Sequence, residues 1–202
     1  LTNNILSSYA LDIYVRTHGI EPINKHAYQA LAEDILPDKK ITFETHKQNL
    51  FSVTPFTMKH DIFKQVFGYL IEVNDETIVI SGDTIPQLSP LMTYAQHATL
   101  LIHEVYSTAV YEKSMTSAWQ NYYIQSHTST QELSDICNQV KPQLLVLTHH
   151  TINDSNVTQD LYLSEMRQYG YNGEISFASD LKVYDLSSLS SSSSSIKSKS
   201  NK

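Results

Sequence analysis

The stretch VISGDTIP, residues 79–86, ends an apolar, strand-like run with Gly82, Asp83 and Thr84. Gly-Asp is ordinary turn chemistry, so a surface turn is the simplest explanation. A sharper hypothesis is that the strand presents Asp83 at the rim of a sheet, where loops beyond the strand ends bind ligands in open sheets. Gly82 favours this hypothesis because glycine allows the backbone to turn sharply directly before Asp83.

The runs on either side of this stretch predict the fold class. Upstream, β-branched and aromatic runs separated by turn residues predict strands at 40–46, 50–60, 67–73 and 77–81, with a hairpin turn at 73–77. Downstream, helices at 90–98, 129–140 and 158–170 alternate with buried strands at 99–105 and 143–150, and residues 174–179 and 182–186 close the fold. Antiparallel strands followed by alternating strands and helices predict an α/β fold, with layered mixed sheets and helices packed outside.

Local signals mark several boundaries. Ser129 and Glu132 form a capping-box pattern at the start of one helix, and Gly170 is placed to stop another. Residues 1–36 are predicted to be helical, and residues 106–126 irregular or weakly helical. Residues 1–186 are predicted to form one domain, and the Ser/Lys-rich residues 187–202 a disordered tail.

Composition narrows the function classes. The 202 residues carry 14 basic and 21 acidic side chains, a formal net charge of −7, which disfavours broad electrostatic binding of nucleic acid. The one cysteine, Cys137, excludes an internal disulfide and a multi-thiolate zinc site, and it makes a cytoplasmic location the default expectation. No window of 18 apolar residues exists, so no membrane partner is predicted.

Polar side chains follow four of the predicted strands. An apolar run ends at each of these positions: His60, Asp83, the pair His103 and Glu104, and His149 with its neighbour His150. Each residue alone is most simply a hydrogen-bonded surface or half-buried group, as is expected for His18, His26, His46 and His97. Together, imidazole and carboxylate ligands suit zinc, with manganese or iron as alternatives.

Four stretches carry a resemblance to a known family: MKHDIFKQVFGYLIEV (58–73), ISGDTIP (80–86), LLIHEV (100–105) and SHTSTQELSDICNQVKPQLLVLTHH (126–150). In this order they resemble the C-terminal two-thirds of a metallo-β-lactamase-fold hydrolase, in the branch of ribonuclease Z and its phosphodiesterase and arylsulfatase-like relatives. The resemblance covers roughly residues 10–185. It implies an αββα sandwich of which the N-terminal part is missing here.

The resemblance also implies a dinuclear metal site and roles for five residues. His60 matches a ligand of the first metal, Asp83 the bridging carboxylate, and His149 a ligand of the second. Glu104 and His127 match a pair that assists proton transfer to the leaving group. The chemistry is sensible because a carboxylate beside an imidazole fixes its tautomer and suits it to general acid catalysis near neutral pH.

Two departures from the family pattern shape the functional expectation. The signature HxHxDH is absent, and no H-x-H occurs in the chain, so the chain as given is expected to lack essential metal ligands. Only 22 residues separate His60 from Asp83, whereas short ribonuclease Z enzymes carry a long tRNA-gripping arm there. We therefore expect the intact protein to cleave a small-molecule or nucleotide phosphodiester, or a related ester, with RNA as a less favoured substrate.

Two alternatives stay open at this point. One is a tRNA 3′-end processing endoribonuclease of the ribonuclease Z type, with its arm shortened or placed elsewhere. The other is a metal-free, catalytically inactive binding module descended from such a hydrolase. Since relatives of this branch are often dimers, a homodimer is also compatible with the resemblance.

Overall fold

The structure is a computed structural model that describes residues 2–18, 34–45, 50–150, 158–186 and 189. The chain divides into two compact units, residues 1–35 and 36–202. The first unit contains α1 (Thr2–Ser8) and α2 (Ala10–His18), as the helical pattern predicts. The helical prediction for residues 19–33 lies outside the described residues, and so does the predicted tail apart from Leu189.

The second unit is built on a seven-stranded mixed sheet whose spatial order follows the chain order. Its strands are β1 (Ile41–Glu44), β2 (Leu50–Met58), β3 (Val66–Val73), β4 (Glu76–Ile80), β5 (Leu100–Val105), β6 (Leu144–His150) and β7 (Ile175–Phe177). Neighbours from β1 to β4 pair antiparallel, and neighbours from β4 to β7 pair parallel. The predicted order, antiparallel strands followed by alternating strands and helices, is confirmed, and with it the α/β fold class.

In the described part of this unit, five helices accompany the sheet: α3 (Leu88–Tyr94), α4 (Thr108–Ser114), α5 (Ser117–Ser126), α6 (Thr130–Val140) and α7 (Gln159–Gln168). The capping box of Ser129 and Glu132 opens α6, and Gly170 follows α7 with a φ of +85°, both as predicted. Of the two structures predicted for residues 106–126, irregular or weakly helical, the structure has the helical one, because α4 and α5 occupy most of that segment. The Ser107 hydroxyl starts α4 by accepting a hydrogen bond from the amide of Val110, a cap that the Tyr- and Ser-rich composition obscures.

The main core lies between the sheet and three of these helices. Leu91 of α3, Leu133 of α6 and Met166 of α7 are fully buried. They belong to one apolar cluster with inward-facing strand residues: Val79, Leu101, Leu145 and Leu147. Complete burial of one such side chain stabilises the fold by roughly 1.5–3 kcal/mol. This packing fixes the strands in place, and with them the loops that follow their ends.

One edge of the sheet collects the ends of four strands. The parallel strands β4, β5 and β6 end there together. The end of β2 joins them, because β2 is antiparallel to β3 and β3 is antiparallel to β4. Within the described part of the chain, no helix has both the length and the apolar character that crossing a membrane requires.

Candidate metal centre

Backbone hydrogen bonds tie the segment after β2 to two other segments at this edge. The amide of Ile85 donates to the carbonyl of Lys59 at 2.9 Å, and the amide of Asp61 donates to the carbonyl of Gln125 at 2.7 Å. His60 adds a side-chain bond, with Nδ1 lying 2.6 Å from the carbonyl oxygen of Ser126. That contact assigns the Nδ1 proton to this bond and leaves Nε2 of His60 as the nitrogen with a free lone pair.

The Glu104 carboxylate connects the loop after β4 with the loop after α5. Its Oε1 accepts hydrogen bonds from the amides of Thr84 at 3.3 Å and Thr128 at 2.8 Å. The Thr128 hydroxyl donates across the same gap to the carbonyl of Thr84 at 2.7 Å. Because the Glu104 side chain is only 1% exposed, these bonds form in a poorly solvated environment where they hold the two loops firmly.

The second oxygen of Glu104 faces His127. Glu104 Oε2 lies 3.4 Å from His127 Nδ1, and both side chains are almost fully buried. Neither atom makes a hydrogen bond to any residue that the structure describes. A charge-assisted bond would be about 2.7–2.9 Å long, so the two atoms face each other without closing one. Burying these two unpaired polar atoms opposes folding, in contrast to the two hydrogen bonds that Oε1 accepts.

A β-bulge directs His149 towards Asp83. Along the β5–β6 ladder, Glu104 pairs with Thr148 but Val105 pairs with His150, which leaves His149 as the extra residue. His149 has a φ of +45°, in the left-handed region that non-glycine residues rarely occupy. Bulges next to functional sites commonly re-aim a side chain, and here Nε2 of His149 lies 3.3 Å from Oδ2 of Asp83. Gly82 takes the predicted sharp turn directly before Asp83, with a φ of +64°.

His150 has different surroundings from His149. Its ring packs 5.6 Å from Tyr162 and 5.3 Å from Phe177 between ring centres. Its Nε2 lies 3.2 Å from the carbonyl oxygen of Leu147, and burial lowers the pKa of the imidazole. The bulge therefore gives the two neighbouring histidines different surroundings: His149 faces Asp83, whereas His150 lies against Tyr162 and Phe177.

The five residues predicted for the site lie close together at this edge. Asp83, His127 and His149 each offer one ligand atom, and these atoms lie within 4.8 Å of one another. The His60 ring lies 5.3 Å from the His127 ring between centres, but His60 is not part of that ligand set among the described residues. The individual roles, with His127 as a proton-transfer residue rather than a ligand, stay predictions.

His103 is fully buried and outside this ligand set. Its Nδ1 donates to the backbone carbonyl of Glu104 at 2.6 Å. Desolvation lowers the pKa of His103, although the nearby Glu104 carboxylate opposes the shift.

Glu165 of α7 is a buried carboxylate that the sequence analysis did not single out. It accepts hydrogen bonds from the Ser107 hydroxyl at 2.6 Å, from the Thr108 amide at 3.0 Å and from the Thr130 hydroxyl. These bonds anchor α7 to the starts of α4 and α6, which flank the His127 loop. An isolated glutamate within a helix pattern gives no signal of such a role.

Two solved structures resemble this architecture. The first is the metallo-β-lactamase fold protein YhfI from Bacillus subtilis, with 20% sequence identity, a TM-score of 0.55, and coverage of 75% of this chain and 54% of that one. The second is Zn²⁺-bound PqqB from Methylobacterium extorquens, with 16% identity, a TM-score of 0.50 and the same coverage of both chains.

The chain thus spans about half the length of the structures that it matches. Its sequence matches no protein-family model and no curated protein sequence. The sheet order, the helices packed on the sheet and the likeness to these structures lead to one conclusion: this chain has the metallo-β-lactamase fold.

Proposed function

We propose that this chain belongs to a metal-dependent hydrolase that cleaves a phosphodiester or a related ester. The observation that carries the proposal is that atoms of the Asp83 carboxylate and of the His127 and His149 imidazoles lie within 4.8 Å of one another at one edge of the sheet, where a metal ion and a proton donor can act on the same substrate. Three segments far apart in the sequence supply them, and the buried Glu104 ties two of those segments together.

The donor set fits a divalent cation. Imidazole nitrogens and a carboxylate are ligands that zinc accepts, and manganese and iron accept them too. The His149 and Asp83 side chains are 50% and 40% exposed, so an ion and a substrate can reach them. We propose zinc because PqqB, whose structure resembles this chain, is Zn²⁺-bound. When bound, the metal supplies an activated water and polarises the ester.

The proposed metal ligands are His60, Asp83 and His149. Asp83 has two carboxylate oxygens, so it can contact two ions at once. His60 keeps Nε2 available, because its Nδ1 is held by the Ser126 carbonyl. Two ions with about four ligands each need more groups than these three residues supply. We propose that water, substrate or residues beyond those described complete the set.

Glu104 and His127 act together as the proposed proton-transfer pair. Because Oε2 of Glu104 faces Nδ1 of His127, the carboxylate favours the tautomer with its proton on Nδ1. Nε2 of His127 is then the nitrogen that exchanges a proton with the leaving oxygen. General acid catalysis of this kind contributes typically 10²–10⁴-fold to the rate.

Small esters are favoured over tRNA as substrates. The 22 residues between His60 and Asp83 form a short loop, β3, a tight turn and β4, which leaves no room for a projecting arm. The net charge of −7 also opposes the electrostatic attraction on which nucleic-acid binding depends. We therefore propose a small-molecule or nucleotide ester as substrate.

Calorimetric zinc titration of the intact protein after treatment with a chelator tests the proposal. Asp83→Ala is expected to lose measurable zinc binding, whereas the control Asp135→Ala removes an exposed carboxylate on α6 and is expected to bind zinc as the wild type does. His127→Ala is expected to keep zinc but to lose zinc-dependent hydrolysis of bis(4-nitrophenyl) phosphate. Unchanged zinc binding by Asp83→Ala would show that the assignment is wrong.

A further inference from the structure

An apolar groove adjoins the proposed metal site. Four apolar residues line it, Ile62, Phe63, Ile85 and Ile124, together with the polar residues Lys59, Asp61 and Gln125, and the open groove has a volume of about 300 Å³. Three of these large side chains are strongly exposed: Ile62 by 84%, Phe63 by 64% and Ile124 by 52%. A volume of this size lies at the lower end of small-molecule sites. We refer to these residues as the apolar groove.

The walls of the apolar groove are joined by hydrogen bonds. One wall follows β2 and the other is the end of α5. The amide of Asp61 bonds the carbonyl of Gln125 between these walls, and the amide of Ile85 bonds the carbonyl of Lys59 at the floor. The exposed apolar side chains therefore stand on a backbone that these hydrogen bonds connect, and a backbone already held in place lowers the entropy cost of binding.

The His60 ring lies between Phe63 of the apolar groove and His127, the proposed proton donor. The Phe63 ring is parallel to the His60 ring, with an interplanar angle of 2° and 5.7 Å between centres. The His60 ring in turn lies 5.3 Å from the His127 ring. A leaving group whose oxygen receives the proton of His127 can therefore reach Phe63 by extending past His60.

We propose, resting on the function proposed above, that the apolar groove is the subsite for a flat aromatic leaving group, with Phe63 as the residue that determines this specificity. In the reaction, a water oxygen bonds to the phosphorus atom, or to the corresponding atom of a related ester. The bond between that atom and the aryl oxygen breaks at the same time. The bonding electron pair stays on the aryl oxygen, which takes the proton of His127. The proton released by the water replaces the one that His127 gave.

Two features favour an aromatic group over an aliphatic one. The largely exposed ring of Phe63 offers a face for stacking, and the isoleucines on either side contact the edges of a flat ring. Lys59 also lines the groove, and its ammonium makes no ion pair with any described residue. A lysine ammonium attracts an electron-rich ring or the phenolate that such a reaction leaves.

An NMR titration with phenol, and with cyclohexanol as the non-aromatic match, tests the subsite. Phenol is expected to shift the methyl resonances of Ile62 and Ile124, with cyclohexanol binding more weakly. The shifts are expected to be the same before and after treatment of the protein with a chelator, because the groove residues are not metal ligands. Absent shifts, equal binding of cyclohexanol, or shifts that vanish after chelation would overturn the proposal.

Three variants assign the effect to the ring of Phe63. Phe63→Ala is expected to raise the dissociation constant for phenol about two- to tenfold. Phe63→Leu keeps the apolar bulk and is expected to remove the preference for phenol over cyclohexanol. Leu181→Ala, at a 99% exposed position, is the control and is expected to bind phenol as the wild type does. Phenol binding that survives both Phe63 variants would refute the assignment.

The zinc titration and the phenol titration can fail independently. Lost phenol binding with normal zinc binding overturns the subsite alone. Normal phenol binding in an intact protein that binds no zinc overturns the hydrolase and the leaving-group role together, and it leaves the apolar groove as an aromatic-binding site.

Discussion

Replacing Glu104 with glutamine tests whether its carboxylate holds the site together. The Glu104→Gln side chain keeps one oxygen for the two amides that the carboxylate now binds, those of Thr84 and Thr128. A hydrogen bond to a charged group contributes about 1.5–3 kcal/mol, and a neutral one about 0.5–1.5 kcal/mol. Each of the two bonds should thus weaken by about 1 kcal/mol, which predicts a total loss of about 2 kcal/mol. The burial of Glu104 leaves little solvent screening to reduce this figure.

Urea denaturation followed by circular dichroism, with a chelator present, measures this loss without any contribution from metal binding. For a chain of this size, a loss of about 2 kcal/mol corresponds to a fall of about 4–8 °C in Tm. Glu112→Gln neutralises an exposed carboxylate on α4 and serves as the control. If Glu104→Gln were as stable as the control or more stable, desolvation of the buried carboxylate would outweigh its hydrogen bonds, and its connecting role would be refuted.

The other stability predictions concern Thr128 and Gly82 in these loops and His103 of β5. Thr128→Val removes the buried donor to a loop carbonyl and should cost about 1–3 kcal/mol in urea denaturation, whereas Thr57→Val, at an exposed position, should change little. Gly82→Ala places a Cβ 3.2 Å from the carbonyl oxygen of Phe67 at a φ of +64°, and it should lower the free energy of unfolding by about 1–2 kcal/mol. Gly170→Ala also places a Cβ at a positive φ, but no atom lies within 4 Å of it. A larger loss of stability in Gly170→Ala than in Gly82→Ala would contradict the reasoning. Because burial lowers the pKa of His103, the unfolded chain takes up this proton first as the pH falls. Stability should therefore decline below about pH 6.5, by at most about 1.4 kcal/mol per pH unit, and the decline should be shallower in His103→Asn than in the wild type.

Most of the fold could be predicted from sequence periodicity. Alternating β-branched and apolar residues located the seven strands, and capping residues located the start of α6. The helices between residues 106 and 126 were predicted only as one of two alternatives, because the Tyr-, Ser- and Thr-rich composition of the segment gives a weak helix signal. Tertiary contacts stabilise them instead, such as the bonds from Glu165 to the first turn of α4.

The site residues could be proposed from strand ends, but their geometry could not. Nothing in the dipeptide of His149 and His150 shows that a bulge would turn the first towards Asp83 and the second into packing. The connecting role of Glu104 depends on amides of two loops that lie 44 residues apart at Thr84 and Thr128. Such long-range backbone contacts have no signature in local sequence.

A zinc titration of His149→Ala beside His150→Ala tests the central claim most directly, namely that the edge of the sheet holds a metal through His149 and Asp83. The two histidines are neighbours of the same chemistry, and only the bulge distinguishes their positions. The account predicts that His150→Ala binds zinc as the wild type does, and that His149→Ala weakens binding by at least about tenfold. Equal zinc binding by the wild type and His149→Ala would contradict it.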